Sequence, residues 1–151
     1  MVIHNIQGVI LTPLKRIANP KGEVMHAMKS SSPGYAGFGE VYFSMVLPGA
    51  TKGWKRHRRV TLNLVVPVGE VRFVIFDDRK GSSTFGCYGD YVLSKENYSR
   101  LTISPGLWVA FHGVGMPDNM LINLANEEHD LAESDSAELE DILFDWKKIE
   151  K

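Results

Sequence analysis

Five of the chain's 17 lysine and arginine residues fall within eight positions, Lys52-Gly-Trp-Lys-Arg-His-Arg-Arg59. A histidine set among lysines and arginines offers a base beside cations that can steady negative charge. On a β-strand the block divides by period two. Lys55 and His57 share one face with Gly53, and Lys52, Trp54 and Arg56 take the other. Arg56, Arg58 and Arg59 keep two readings open: a solvated strand end, or ion pairs with residues 127–141, which carry eight of the 18 acidic residues and no lysine or arginine. The formal net charge of −1 argues against nucleic acid as the partner. It leaves room for a smaller anion.

The elements that must hold these residues read as strands. Runs rich in Val, Ile, Phe, Tyr and Thr lie at 7–12, 23–28, 38–47, 51–57, 60–68, 71–76, 88–93, 100–103, 107–113 and 120–124, with Gly, Pro, Asn and Ser between them. Such a series predicts an antiparallel sandwich, jelly roll or small barrel. In 60–66, Val60, Leu62, Leu64 and Val66 form an apolar row opposite Thr61, Asn63 and Val65. In 40–44, Glu40, Tyr42 and Ser44 share a face opposite Val41 and Phe43. Alternation alone does not say which face lines a cavity, because inward polar residues and solvent-facing ones leave the same pattern.

The tail predicts the one helix, over 136–148. Leu139, Ile142, Leu143 and Trp146 recur at helical spacing, Asp135 and Glu138 form a capping pair, and Lys147 and Lys148 suit a C-terminus. A length of 151 residues fits one domain spanning the whole chain, with a β core over 7–130. One cysteine, Cys87, excludes an internal disulfide and a cysteine-rich metal cluster and suits a reducing, cytoplasmic setting. The opening Met1-Val-Ile-His-Asn-Ile lacks the basic start of a secretory leader. The longest uncharged run, 101–117, is broken by Pro105 and three glycines and is too short for a membrane span. His26, His112 and His129 stand singly, and Trp54 and Trp108 suit either stacking on a ligand or packing in a core.

Several segments occur together in a specific order. Lys52-Gly-Trp-Lys-Arg-His57 is followed by Pro67-Val-Gly-Glu70, Val71-Arg-Phe-Val-Ile-Phe-Asp-Asp-Arg79 and Ser83-Thr-Phe-Gly86. Leu93-Ser-Lys-Glu-Asn97 and Leu101-Thr-Ile-Ser-Pro-Gly-Leu-Trp108 come next. In this order they resemble the dTDP-4-dehydrorhamnose 3,5-epimerase family, cupins that act on nucleotide-linked keto-sugars, over roughly residues 8–130. The departures are at the family's chemistry. Its Arg-Gly-x-His base segment aligns with Lys52-Gly53-Trp54-Lys55, so lysine replaces the usual base and His57 lies two residues on. Val109 replaces a second histidine. The tyrosine that serves as opposing acid falls in Asn126-Glu-Glu-His-Asp130, and the phosphate-contacting turn becomes Asn19-Pro-Lys21-Gly22-Glu23.

The resemblance implies an all-β double-stranded β-helix, or cupin jelly roll, and a homodimer with exchanged N-terminal strands. It implies an isomerase that removes the proton alpha to the ketone of a nucleotide-linked 4-keto-deoxysugar in surface polysaccharide biosynthesis, with no cofactor. Carried onto this chain, His57 is the base, Lys55 the cation for the enolate oxygen, and Glu128 or His129 the proton donor on the other sugar face. Lys21 keeps a cation at the phosphate turn without arginine's two-pronged grip. Glu40, Tyr42, Lys52, Asn63 and Trp108 are the expected substrate contacts. Two alternatives stay open: a 3,4-ketoisomerase of such sugars, and a cupin that binds them without turnover. Metal cupins use His-x-His, Glu and a distant His; His57 is the single member present, which argues against a metal centre.

Overall fold

The computed structural model describes residues 2–3 and 5–148. In chain order the strands are β1 (Val2–Ile3), β2 (Val9–Pro13), β3 (Arg16–Ile17), β4 (Val24–Met25), β5 (Glu40–Met45), β6 (Thr51–His57) and β7 (Leu62–Val68). They continue with β8 (Glu70–Phe76), β9 (Tyr88–Ser94), β10 (Ser99–Ile103), β11 (Trp108–Gly113), β12 (Met120–Ala125) and β13 (Ser134–Ser136). The longer ones coincide with the β-branched and aromatic runs of the sequence. A six-stranded sheet has the order β1-β9-β8-β11-β6-β13 and a five-stranded sheet the order β2-β10-β7-β12-β5; β3 and β4 form a separate hairpin. Apart from the parallel β1–β9 pair, the pairings are antiparallel. This is the cupin jelly roll that the resemblance implies.

The main core lies between the two sheets, where period two sends one set of side chains inward. Leu62, Leu64 and Val66 from β7 meet Val71, Phe73 and Ile75 from β8, with Leu101 and Ile103 from β10. A second apolar layer lies on the outer face of the six-stranded sheet. There Trp54, Val74, Trp108 and Ala110 are covered by Ala137, Leu139, Ile142, Phe144 and Trp146 of the tail.

That tail is not the helix expected over 136–148. It forms β13, one 3-10 turn at Leu139–Asp141, and otherwise irregular chain. Its apolar residues satisfy two periods. Helical spacing would bury Leu143, but Leu143 is 79% exposed. Ile142, Phe144 and Trp146, two apart, pack on the sheet instead. Pairing decides the matter, because β6 would otherwise present an open edge: Trp54 and Ala137 exchange backbone hydrogen bonds of 2.9 and 3.0 Å. Asp135 does not cap a helix; the capping box is Glu138 with Asp141.

One irregularity shapes the site. Val109 pairs with Lys55 and Phe111 with Lys52, so Ala110 alone opposes both Gly53 and Trp54. This bulge resets the alternation of β6 and brings Lys52 to the inner face with Lys55 and His57, instead of placing it with Trp54 and Arg56. Gly53 permits the approach, since a Cβ there would lie 2.4 Å from that of Ala110.

Candidate active site

His57 ends β6 on the inner face. Its Nδ1 is hydrogen-bonded to Glu133, which is 2% exposed and lies one residue before β13, where Ser134 pairs with His57. The second carboxylate oxygen of Glu133 accepts from the backbone N–H groups of Arg58 and Arg59, each at 3.2 Å, and of Val60 at 3.3 Å. Burial pushes this carboxyl up, but the His57 hydrogen bond and the backbone donors outweigh it and hold it below the ordinary carboxylate range. An ionised Glu133 only accepts, so the imidazole hydrogen sits on Nδ1 and Nε2 is left to take up a proton.

Lys55 lies two residues back on the same face, paired with Val109. Among the described residues its ammonium has no hydrogen bond or ion pair. The opposing polar row comes from β5, whose Glu40, Tyr42 and Ser44 pair with Ala125, Asn123 and Leu121 of β12. Ala125 and Leu121 belong to the core between the sheets, so this row also faces inward. Asn123 donates from Nδ2 to the Tyr42 hydroxyl oxygen at 2.9 Å. Lys52 crosses from β6 to β5, donating to the carbonyl of Met45 at 2.7 Å and to Ser44 Oγ at 3.4 Å. Onward from that bridge, the inner face carries Tyr42 and then Glu40 on β5, and Lys55 and then His57 on β6.

The structure therefore turns His57, Lys55, Lys52, Tyr42 and Glu40 toward the interior between the sheets, with Lys52 bonding across from β6 to β5. It places the other expected residues elsewhere. Asn63 faces away from the interior, because the inner face of β7 is the Leu62, Leu64, Val66 row. Its amide donates to the Gly34 carbonyl at 3.0 Å and accepts from Arg100 at 3.2 Å and Thr102 at 2.6 Å, beneath the segment 27–34. Trp108 lies on the outer face of the six-stranded sheet, donating to Asp78 at 2.9 Å under the Arg56 guanidinium, 4.5 Å from the ring centroid. Lys21 is exposed in the β3–β4 turn. That hairpin is tied to β10 and its neighbours through Arg16 to the Lys95 carbonyl and Tyr98 to the His26 carbonyl, at 2.9 and 2.7 Å. It thus sits toward the opposite edge of the five-stranded sheet from β5. Glu128 and His129 are exposed in the connection between β12 and β13.

The arginines of the basic block all pair with acids. Arg56 meets Asp78 and Asp135, Arg58 meets Asp135, and Arg59 meets Glu127 and Asp130. Glu133 is the residue that sequence reasoning misses. It belongs to the same acidic stretch as those partners, and nothing in its spacing separates a carboxylate that orients a histidine from one that neutralises an arginine. His112, on the outer face, is hydrogen-bonded to Thr51 at 2.7 Å and stacks on Trp146. Burial and then the Arg72 charge lower its pKa, which favours the neutral ring.

The motifs that carry the resemblance are mostly turns. Asp77 accepts from Arg79 Nε at 2.9 Å and from Ser82 and Thr84 at 2.6 Å each, closing the loop before β9. Asn97 donates to the Val92 carbonyl at 2.6 Å, and Gly106 donates to the carbonyl of His57 at 2.7 Å. Among the described residues no three His, Cys, Asp or Glu side chains lie close enough to hold a metal ion, and no helix is long and apolar enough to cross a membrane.

No family profile matches the chain. It is 29% identical over 133 residues to the probable low-salt glycan biosynthesis epimerase Agl13 of Haloferax volcanii, covering 87% of this chain and 85% of that one. Among solved structures it is similar to the dTDP sugar isomerase of Desulfovibrio desulfuricans, with 36% identity, a TM-score of 0.85, and coverage of 88% of this chain and 85% of that one. It also shares the fold of ChmJ, a 3'-monoepimerase of Streptomyces bikiniensis solved with dTDP-quinovose. There the TM-score is 0.80 at 21% identity, over 89% of this chain and 72% of that one. With the jelly roll, the ordered turns and a relative above 30% identity along most of its length, the chain belongs to the dTDP-4-dehydrorhamnose 3,5-epimerase-like family of nucleotide-sugar epimerases and isomerases.

Proposed function

We propose that this protein is a nucleotide-sugar isomerase that removes the proton alpha to the ketone of a nucleotide-linked 4-keto-deoxysugar in glycan assembly. The observation that carries the reading is the His57–Glu133 pair. A buried carboxylate, ionised and fixed by three backbone donors, sets the imidazole with Nε2 as its proton acceptor. Lys55, on the same face, supplies the positive charge that an enolate oxygen needs as the proton leaves. The base is thus displaced two residues along β6 from the family's usual position, and the carboxylate comes from the chain after β12.

The nucleotide end draws on a second protomer. Lys21 and the β5 row lie toward opposite edges of one sheet, so a phosphate held by Lys21 and a sugar held by Tyr42 fit two chains better than one. Phe38, Phe43 and Leu47, exposed by 66%, 67% and 73%, supply apolar surface for a homodimer. The single cysteine fits a cytoplasmic setting.

The test is proton exchange. Incubation with dTDP-4-keto-6-deoxyglucose in deuterated water, followed by NMR at C3 and C5, should show deuterium entering the sugar at an enzyme-dependent rate. Movement of the ketone to C3 would identify a 3,4-ketoisomerase. Binding with no exchange at either carbon would overturn the isomerase reading.

A further inference from the structure

The mechanism above does not use Asn123, although this residue faces the same interior as Lys55 and His57. Asn123 is 3% exposed. Its Nδ2 is committed to Tyr42 at 2.9 Å, while its Oδ1 is buried with no hydrogen-bond partner. A buried amide oxygen left unpaired forfeits its hydration with nothing in return, so native interiors rarely keep one without a use. The side chain cannot turn away from the interior, because Asn123 alternates with Leu121 and Ala125 of the core and opposes Leu64 and Tyr42 in the sheet. The Tyr42 bond fixes the amide plane from one side. Tyr42 accepts that hydrogen bond, which leaves its own O–H to be donated as well. Together the pair presents one acceptor and one donor, a combination that suits the hydroxyl of a sugar and not a ketone, a phosphate or an apolar ring. The Lys52 bridge joins β5 to β6 across this interior; Tyr42 is the next inward residue of β5 beyond Ser44, as Lys55 is the next inward residue of β6 beyond Lys52.

We propose that Asn123 is a specificity-determining residue: its Oδ1 accepts a hydrogen bond from a ring hydroxyl next to the ketone-activated carbon, with Tyr42 holding the amide in place. This rests on the keto-sugar isomerase reading and adds to it which substrates are rejected. A site built to bond a hydroxyl discriminates against the deoxy analogue because the analogue leaves the buried acceptor unpaired. Tyr42 is 44% exposed, so the pair lies where a sugar entering between β5 and β6 would first be read.

The experiment compares kcat/KM for proton exchange on three probes: dTDP-4-keto-6-deoxyglucose and its 2-deoxy and 3-deoxy analogues. The wild-type protein should disfavour one analogue by at least about a hundredfold. In Asn123→Leu that ratio should fall to within about threefold of unity, mostly by loss on the hydroxylated sugar, while Asn123→Asp, which keeps an acceptor, should restore discrimination. Equal wild-type rates on all three sugars would overturn the proposal, as would an Asn123→Leu protein that keeps the wild-type ratio. The wild-type comparison decides the matter even if Asn123→Leu does not fold. Failure of the underlying reading looks different: wild-type protein would then exchange no proton on the parent sugar.

Discussion

Asp77 and Glu133 are both cut off from water, and in both the hydrogen bonds outweigh burial and keep the carboxyl below its usual range. Their partners differ. Asp77 takes its donors from Arg79, Ser82 and Thr84, all within seven residues, so its charge closes one loop. Glu133 takes three donors from the backbone of residues 58–60 and a fourth from His57, 76 positions away in sequence. Asp77's side-chain partners are a guanidinium and two hydroxyls, whereas one of Glu133's is an imidazole. A buried anion bonded only to a guanidinium and hydroxyls closes a loop; the same anion bonded to an imidazole also fixes which ring nitrogen carries the hydrogen.

The sharpest way to break that contrast is to remove the imidazole. His57→Asn should lower the rate of proton exchange on the keto-sugar by about a thousandfold or more, with nucleotide affinity and melting temperature near those of the wild type. Exchange kinetics by NMR and dTDP titration measure the two sides. A fully active His57→Asn protein would return Glu133 to the same structural class as Asp77.

Glu133→Gln tests the orienting role with less disruption. A glutamine can donate its amide hydrogen to Nδ1, which moves the imidazole hydrogen to Nε2 and removes the base without removing the ring. The expected loss in kcat is about a hundredfold, with KM changed by less than about threefold and a displaced pH profile. A purely structural Glu133 would instead lower the melting temperature and leave kcat per folded molecule alone.

The contrast also marks what the sequence makes legible. Asp77 and its donors fall in one short run, so the motif is readable as a unit, and the β-branched runs announce the strands because period two repeats in each of them. Lys52 is different. Alternation groups it with Trp54, and only the pairing of Ala110 with two residues of β6 moves it inward. Asn63 lies opposite an apolar row, and whether that polar side meets ligand, water or chain depends on the segment 27–34 folding over it. The tail holds Ile142, Leu143, Phe144 and Trp146 in a row that suits either period, and contact with Trp54 and Val74 selects one. Glu133 meets His57 because β13 pairs with β6, a long-range event with no local signature.

Asp77→Asn should do to stability what Glu133→Gln does to rate. Loss of the charge weakens the bonds from Arg79, Ser82 and Thr84, and the expected destabilisation is about 2 kcal/mol in urea unfolding. Exchange kinetics per folded molecule should match the wild type, since among the described residues neither Asp77 nor its donors hydrogen-bond to the side chains of His57, Lys55 or Glu133. A loss of kcat with unchanged stability would show that the loop reaches the chemistry.

The smallest expected effect is on the acid side of the stability curve, and there the two carboxylates should behave alike. Asp77 is held well below its ordinary value of 3.8 and Glu133 below 4.5, although burial, the largest influence on each, acts in the opposite direction. The unfolded chain therefore binds these protons at a higher pH than the folded one does. Each group's contribution is fully present above its unfolded value and is lost as the pH falls through the folded value. Wild-type stability should thus drop on acidification from about pH 5 downward. Asp77→Asn should flatten that slope, because asparagine has no proton to take up, and Glu133→Gln should flatten it for the same reason. Urea midpoints at a series of acidic pH values measure both slopes. An Asp77→Asn slope parallel to the wild type would mean that Asp77 meets the same donors in the unfolded chain, where all three partners lie within seven residues of it. Glu133 has no such nearby donors, so its share of the slope must come from the folded state alone.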